Sequence, residues 1–89
     1  MLERTIEDQV VRWAESQGGL ALKLKLDSLR GFPDRTILLP GGIVAFVEMK
    51  RPSRSKVYNT QNLWHDRLSQ LGFKAGFCRS VEDVMGLLE

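Results

Sequence analysis

Two short apolar segments on either side of a proline-glycine turn most constrain what this chain can fold into. The segments are residues 36–39 and 43–47, and Pro40-Gly41-Gly42 separates them. Both segments are rich in residues that favour strands, and proline with glycine between two such runs is a strong turn signal. The sequence therefore predicts an antiparallel β-hairpin at the centre of the fold.

The turn also determines which residues of the two strands face each other. With a three-residue loop, Leu39 pairs with Ile43, and stepping outward places Asp34 opposite Glu48. A two-residue loop of Gly41-Gly42 would break this alignment, because a shift of one residue moves every side chain to the other face. Directly opposed residues have Cβ atoms roughly 4.5–5.5 Å apart. We therefore expect two carboxylates to lie side by side at the open end of the hairpin.

Opposed carboxylates repel each other unless a cation compensates their charge. Mg²⁺ and Mn²⁺ favour carboxylate and carbonyl oxygens, and Glu48 ends an apolar run, where a carboxylate is rare unless it is paired or metal-bound. In a strand, Glu48 and Lys50 share one face and Met49 points the other way. A carboxylate pair beside an amine suits metal-assisted attack on a phosphate. The alternative is two unrelated surface acids on an ordinary hairpin, which the apolar run before Glu48 disfavours.

The length and composition predict a single small domain, residues 1–89. With 43% hydrophobic residues the chain should fold, but with only 89 residues the core should be thin, and a small domain of this kind often dimerises. The single cysteine, Cys78, excludes an intrachain disulfide and a cysteine-rich zinc site, and we expect it to be buried as a small apolar side chain. There is no apolar run of the ~18 residues that a membrane span needs, and Met1-Leu2-Glu3-Arg4 does not begin a signal peptide. These features predict a cytoplasmic protein that does not enter a membrane.

Positive charge is concentrated in one short segment that follows Glu48 directly. Residues 50–56 contain four basic residues and no acid, although the net charge of the chain is only +2. Clustered lysine and arginine indicate a phosphate-backbone partner. We therefore predict that Arg51, Arg54 and Lys56 contact DNA phosphates and that Tyr58 stacks on a base. The alternative is a solvated loop, which its position beside the carboxylates disfavours.

The hydrophobic periodicity predicts the element order helix, three strands, helix, strand, helix, which is an α/β fold of the α+β kind with a mixed sheet. Thr5 is expected to cap the first helix, and Gly18-Gly19 to end it. Ser80 is expected to cap the last helix. The apolar face of the first strand is predicted to consist of Leu20, Leu22, Leu24 and Leu26. The core stripe of the second helix, over about residues 60–71, is predicted to consist of Trp64, Leu68 and Leu71.

Five sequence elements, taken in order, resemble a known family. They are Glu7 in the first helix, Gly31-Phe32-Pro33-Asp34-Arg35, Glu48-Met49-Lys50, Pro52, and Gln61 at the start of the second helix. Together they resemble the VRR-NUC family of the PD-(D/E)xK nuclease superfamily, over a region from Glu7 to Ser80. The resemblance implies a restriction-endonuclease-like core of the order αβββαβα. It also implies a stand-alone hydrolase of phage or bacterial origin that acts as a homodimer and cuts branched DNA such as four-way (Holliday) junctions.

The resemblance also implies a role for each motif residue. Asp34 and Glu48 would bind Mg²⁺ or Mn²⁺, with the backbone carbonyl of Met49 as a third ligand, and the metal would activate a bound water. Lys50 would orient that water or stabilise negative charge on the phosphate. Glu7 would bind a metal through water or hold a second ion. The alternative for Glu7 is a helix N-terminal acid that the macrodipole stabilises.

Other residues have less specific expectations. Gln61 would hydrogen-bond the water or a phosphate, or else be an ordinary first-turn residue. Lys23 would touch the DNA backbone, or else be part of a solvated strand face. Arg35 should point away from the catalytic face and have a structural or dimer role. His65, as the single histidine, cannot build a histidine zinc site and is expected to be structural.

Three functions compete on these observations. The leading one is a structure-selective endonuclease that depends on Mg²⁺ or Mn²⁺ and needs no nucleotide cofactor. The second is a DNA-binding module that does not cut, which would have no use for opposed carboxylates near phosphate. The third is a restriction-type nuclease for duplex or flap DNA on the same fold, although 89 residues leave little room for a base-reading domain.

Overall fold

The computed structural model describes residues 3–24, 28–50 and 59–89. Within these ranges the chain forms three helices and one four-stranded sheet. In chain order the elements are α1 (Glu3–Ser16), β1 (Leu20–Lys23), β2 (Arg35–Leu39), β3 (Ile43–Met49), α2 (Asn59–Gln70), β4 (Lys74–Cys78) and α3 (Val81–Leu87). The predicted element order is confirmed.

The strands lie in the order β1-β2-β3-β4. The first two pairs are antiparallel and the last, β3 with β4, is parallel, so the sheet is mixed as predicted. A parallel pair requires a crossover connection that returns the chain to the same end of the sheet. Helix α2 lies in that connection, between β3 and β4. No helix in the three described ranges is long and apolar enough to cross a membrane.

The central hairpin has the register that the turn predicted. Leu39 pairs with Ile43, which leaves a three-residue loop between β2 and β3. Two glycines permit this loop, because Gly41 and Gly42 have φ angles of +87° and +75°, and glycine adopts such angles without a steric penalty. The alternative two-residue loop is excluded.

Helices α1 and α3 cover one face of the sheet and form the core with it. Ile6, Val10 and Ala14 recur every four residues along α1, so they form one stripe that faces the sheet, and all three are fully buried. The cluster that they enter contains Ala21, Ile37, Ala45, Val47, Met49, Cys78 and Val84. Cys78 is buried as predicted, and burial raises the pKa of its thiol to about 12.

Helix α2 packs on the opposite face, over the β4 side of the sheet. The His65 ring stacks on the Phe77 ring with centroids 4.1 Å apart and planes 7° apart. Phe32, in the loop before β2, meets Phe46 of β3 edge-on at 5.7 Å and Trp64 of α2 at 5.1 Å. This aromatic row attaches α2 and the loop before β2 to the same face of the sheet.

The leucines in β1 and directly after it face the opposite way from the prediction. Leu20, Leu22 and Leu24 are 50%, 39% and 41% exposed, whereas Ala21 is buried. Alternation along the strand was predicted correctly, but the buried face was not. Helix α1 packs directly on β1, where the small side chain of Ala21 fits. On the opposite face of the sheet, the described helix α2 lies over β4 and does not cover the leucines of β1. Leu26 lies outside the described residues.

Thr5 and Leu71 differ from their predictions, whereas the cap at Ser80 is confirmed. Thr5 does not cap α1, because the chain is already helical at Glu3. Leu71 is 61% exposed, because α2 ends at Gln70 and the chain turns at Gly72. Ser80 caps α3 as predicted, and its hydroxyl accepts a hydrogen bond of 3.1 Å from the backbone N–H of Asp83.

Candidate active site

Asp34 lies one residue before β2 and turns its side chain toward the end of β3. Its Oδ1 accepts a hydrogen bond from the Met49 backbone N–H at 3.2 Å. The last pair of the hairpin register is Arg35 with Val47, so one further step brings Asp34 alongside Glu48. The sequence prediction for this end of the hairpin therefore agrees with the structure.

The surroundings of Asp34 disfavour its charged form. Burial raises the pKa of this carboxyl above its ordinary value of 3.8, and the Glu7 carboxylate raises it further. The Met49 N–H and the Arg35 guanidinium oppose the shift. The carboxylates of Asp34 and Glu7 therefore repel each other, and a cation beside Asp34 would relieve that repulsion.

Glu48 and Met49 lie on opposite faces of β3, as strand alternation predicted. Glu48 pairs with Phe77 of β4, so its side chain shares the face on which α2 packs. Met49 is 1% exposed and lies in the core under α1 and α3. The Met49 side chain is thus unavailable to a ligand, and its backbone is the part that lies beside Asp34.

Lys50 is buried and its ammonium group is held by Gln61. The Lys50 side chain is on the α2 face, where Nζ lies 2.9 Å from Oε1 of Gln61 and 6.0 Å from the centroid of the Phe77 ring. The Lys50 residue is only 6% exposed, and its backbone N–H donates to the Cys78 carbonyl at 2.9 Å. Sequence reasoning placed Gln61 against a water or a phosphate. The structure shows a contact of Gln61 with Lys50.

A close backbone contact fixes α2 relative to the loop that carries Asp34. Gly31 has φ +85°, and a Cβ atom at this position would lie 2.7 Å from the backbone carbon of Thr60. Only glycine allows the loop to approach the first turn of α2 so closely. Because Gln61 follows Thr60, this contact also fixes Gln61 relative to Asp34.

Glu7 reaches this end of the sheet from α1 but binds basic side chains. Its Oε1 accepts a hydrogen bond from Arg35 Nε at 3.1 Å and lies 3.9 Å from Lys23 Nζ. Arg35 also donates from Nη1 to the Ala21 carbonyl at 3.3 Å. Arg35 therefore links α1, β1 and β2, which agrees with the structural role expected for it. The pairing of Glu7 with Arg35 was missed, because residues 28 apart in the chain meet only in the tertiary fold.

The structure does not gather Glu7 with Asp34 and Glu48 into one acidic site. In the described ranges no group of three or more histidine, cysteine, aspartate or glutamate side chains is arranged to hold a metal ion. The direct metal role of Glu7 stays a prediction, and its observed partners are Arg35 and Lys23. The metal roles of Asp34, Glu48 and the Met49 carbonyl stay predictions as well.

Most of the predicted DNA contacts fall in a segment that the structure does not describe. Arg51, Arg54, Lys56 and Tyr58 lie outside the described residues. Lys23 is described, and its side chain is 47% exposed beside Glu7.

His65 is buried beside the site without a hydrogen-bond partner for either ring nitrogen among the described residues. Burial lowers the pKa of this imidazole, and the nearby Lys50 ammonium lowers it further, against the effect of Asp66. A neutral ring stacked flat on Phe77 is consistent with the structural role predicted for it.

Comparison with known proteins identifies the family. Residues 4–82 match the model described as the VRR-NUC domain, and the chain therefore belongs to the VRR-NUC family of nucleases. It is 40% identical over 70 residues to "Putative nuclease p44" of Acyrthosiphon pisum secondary endosymbiont phage 1, a match covering 79% of this chain and 74% of the phage protein.

Two solved structures share the fold. One, described as a VRR_NUC domain, has a TM-score of 0.84 and 29% identity, and the match covers 96% of this chain and 91% of the other. A second, described as a VRR_NUC domain protein, has a TM-score of 0.72 and 15% identity over 98% of this chain and 84% of the other. The mixed α+β fold predicted from the resemblance is confirmed.

Proposed function

We propose that this chain is a metal-dependent endonuclease that hydrolyses phosphodiester bonds in branched DNA, with four-way junctions as the leading substrate. The observation that carries the proposal is the register of the central hairpin. It brings Asp34 alongside Glu48, and the next inward-facing residue of the same segment is a buried lysine, Lys50, held by Gln61. Membership of a nuclease family supports the reaction class.

The residues at this end of the sheet fit a hard divalent cation. Asp34 and Glu48 supply carboxylate oxygens, and the Met49 carbonyl would complete a set that suits Mg²⁺ or Mn²⁺. Burial, and to a smaller extent the Glu7 carboxylate, raise the pKa of Asp34, and a bound cation would favour the charged form of this carboxyl. When bound, such a metal lowers the pKa of its water and neutralises charge on the phosphate.

Lys50 would act on the phosphate from a fixed position. Its ammonium group is buried and held by Gln61 at 2.9 Å, so little reorganisation is needed when charge develops on a nearby phosphate oxygen. Gln61 would keep Nζ in place, and the contact between Gly31 and Thr60 would keep Gln61 in place. Glu7 would act on Asp34 through its charge, while Arg35 holds it at a fixed distance.

A homodimer would bring two such sites to a symmetric junction. The edge of β3 is not free to form the interface, because β3 pairs with β2 and β4 on its two sides. The better candidate is the exposed leucines Leu20 and Leu22 of β1, with Leu24 directly after it, because β1 lies at the edge of the described sheet. The site of action would be the cytoplasm of a bacterial or phage-infected cell.

A cleavage panel tests this function. Purified protein is incubated with a four-way junction, a flap, a duplex and a single strand, each with Mg²⁺, Mn²⁺ or EDTA. We expect cutting of the junction with either metal and none with EDTA, and we expect Lys50→Ala to abolish it. Binding without any cutting would identify a DNA-binding module, and preferential cutting of duplex or flap would identify a nuclease of a different selectivity.

A further inference from the structure

We propose that a groove along α2 binds an unpaired stretch of the DNA next to the cut phosphate. The groove, called here the α2 groove, is lined by Arg30, Thr60, Leu63, Trp64 and Arg67 and has a volume of about 230 Å³. The inference rests on the proposed nuclease function and adds a binding site beyond the residues assigned above.

The α2 groove leads to the candidate active site. Thr60, Leu63, Trp64 and Arg67 recur at intervals of three and four residues, so they form one face of the helix. A second hollow shares Arg30 and Thr60 with the groove and is also lined by Gln61. Because Gln61 holds Lys50, the two hollows form a path from the catalytic lysine to Arg67.

The length of this path corresponds to a few nucleotides. Gln61 and Arg67 are six residues apart in the helix, which is about 9 Å at a rise of about 1.5 Å per residue. Successive nucleotides of one strand of a duplex advance about 3.4 Å along the helix axis, and an unpaired strand can be more extended. The path therefore accommodates at most roughly two or three nucleotides beside the scissile phosphate.

The chemistry of the lining favours nucleic acid. Two guanidinium groups, Arg30 and Arg67, border the groove, and no acid is among its described lining residues. Arginine pairs with phosphate through two parallel hydrogen bonds. Between the arginines, Leu63 is 67% exposed and Trp64 is partly exposed, so an apolar surface is available to the face of a base.

Because of the orientation of Trp64, the apolar surface of the α2 groove does not distinguish one DNA base from another. Its Nε1 donates to the Arg30 carbonyl at 2.9 Å, and its ring meets Phe32 edge-on at 5.1 Å. The indole N–H is thus already engaged, and the ring is held in place before DNA arrives. Contact with a base would be apolar, which every base offers. Because the faces of bases are covered in a duplex, this surface selects unpaired nucleotides.

The test measures binding without cutting. In a Glu48→Gln background with Mg²⁺, fluorescence anisotropy reports the affinity for a duplex with a three-nucleotide unpaired arm and for the matching full duplex, over a range of salt concentrations. Arg67→Ala is compared with Arg67→Lys and with Arg12→Ala, which removes an exposed arginine from α1 on the opposite face of the sheet.

We expect Arg67→Ala to weaken binding to the unpaired arm and to lower the log–log salt slope by about 0.7, the value for one phosphate contact on a single strand. Arg67→Lys should keep the slope, because its charge is conserved. Leu63→Ser should weaken binding to the arm without changing the slope, because it removes an apolar contact. Arg12→Ala should change neither quantity.

Several results would refute DNA binding in the α2 groove without refuting the proposed nuclease function. One is that Arg67→Ala and Arg12→Ala have the same affinity for the unpaired arm and the same salt slope, while the protein without these substitutions cleaves DNA. Another is an equal loss on full duplex and on the unpaired arm, which would indicate contact with duplex backbone. If the parent protein binds none of these DNAs, the groove and the proposed function both fail, and a different partner must be sought.

Discussion

Replacing Gly31 by alanine should loosen the attachment of the Asp34 loop to α2. The left-handed conformation at φ +85° costs a non-glycine residue about 1–2 kcal/mol. The added Cβ would also lie 2.7 Å from the Thr60 backbone carbon and 2.8 Å from the Thr60 carbonyl oxygen. Because these atoms belong to the backbone, the loop or the helix must shift, at a further cost of about 1–3 kcal/mol. The free energy of unfolding should fall by about 2–5 kcal/mol in total.

Gly41→Ala is the matched control for this change. Gly41 has nearly the same φ, +87°, but a Cβ there would meet nothing within 4 Å, so only the conformational cost of about 1–2 kcal/mol applies. Urea denaturation of the two variants should therefore differ by about 1–3 kcal/mol. In a domain of this size, each kcal/mol lowers the melting temperature by about 4–8 °C. Equal stabilities for the two variants would refute the close contact with Thr60.

The same pair of variants tests the link from packing to chemistry. A shift of the first turn of α2 moves Gln61 and removes the fixed hydrogen bond to Lys50. At a temperature where both variants are folded by circular dichroism, Gly31→Ala should cut DNA more slowly than Gly41→Ala. Equal rates would show that the position of Gln61 does not depend on this contact.

Three further predictions concern single side chains. In EDTA, Asp34→Asn should raise the free energy of unfolding near neutral pH, because burial raises the pKa of Asp34. Unfolding measurements should show this gain in stability shrinking as the pH falls through that pKa and disappearing below about 3.8. A gain in stability that grows on acidification would contradict the raised pKa. Arg35→Ala should lower the free energy of unfolding by about 3–5 kcal/mol, because it leaves the buried Glu7 carboxylate without its closest partner; a loss under 1 kcal/mol in urea denaturation would mean that the pair is not desolvated. Ser80→Ala should lower it by about 1 kcal/mol by removing the α3 cap, and an unchanged urea midpoint would argue against the cap.

Two features that depend on neighbouring residues were predictable from the sequence. The Pro40-Gly41-Gly42 turn fixed the register, and the register placed Asp34 alongside Glu48. The α3 cap at Ser80 was predictable for the same reason, since its donor is only three residues away. Such features need no knowledge of the remaining chain.

Features that arise from packing between distant elements were not predictable. The alternation of side chains along β1 was predictable, but which face is buried depends on where α1 packs. Helix α1 packs over Ala21 and leaves the leucines exposed. The contact of Glu7 with Arg35 depends on the same packing. The hydrogen bond between Lys50 and Gln61 depends on the crossover that brings α2 back over β4.

The most direct test of the central claim is the single-turnover rate of DNA cleavage as a function of Mn²⁺ concentration. The claim is that Asp34 and Glu48 together hold the metal that cleavage requires. We predict that cleavage by the parent protein rises with Mn²⁺ and saturates, and that Glu48→Gln cuts at no Mn²⁺ concentration while still binding DNA. Glu82→Gln, an exposed acid in the first turn of α3, should follow the parent curve. Cleavage by the parent in EDTA, or a parent-like curve for Glu48→Gln, would contradict the account.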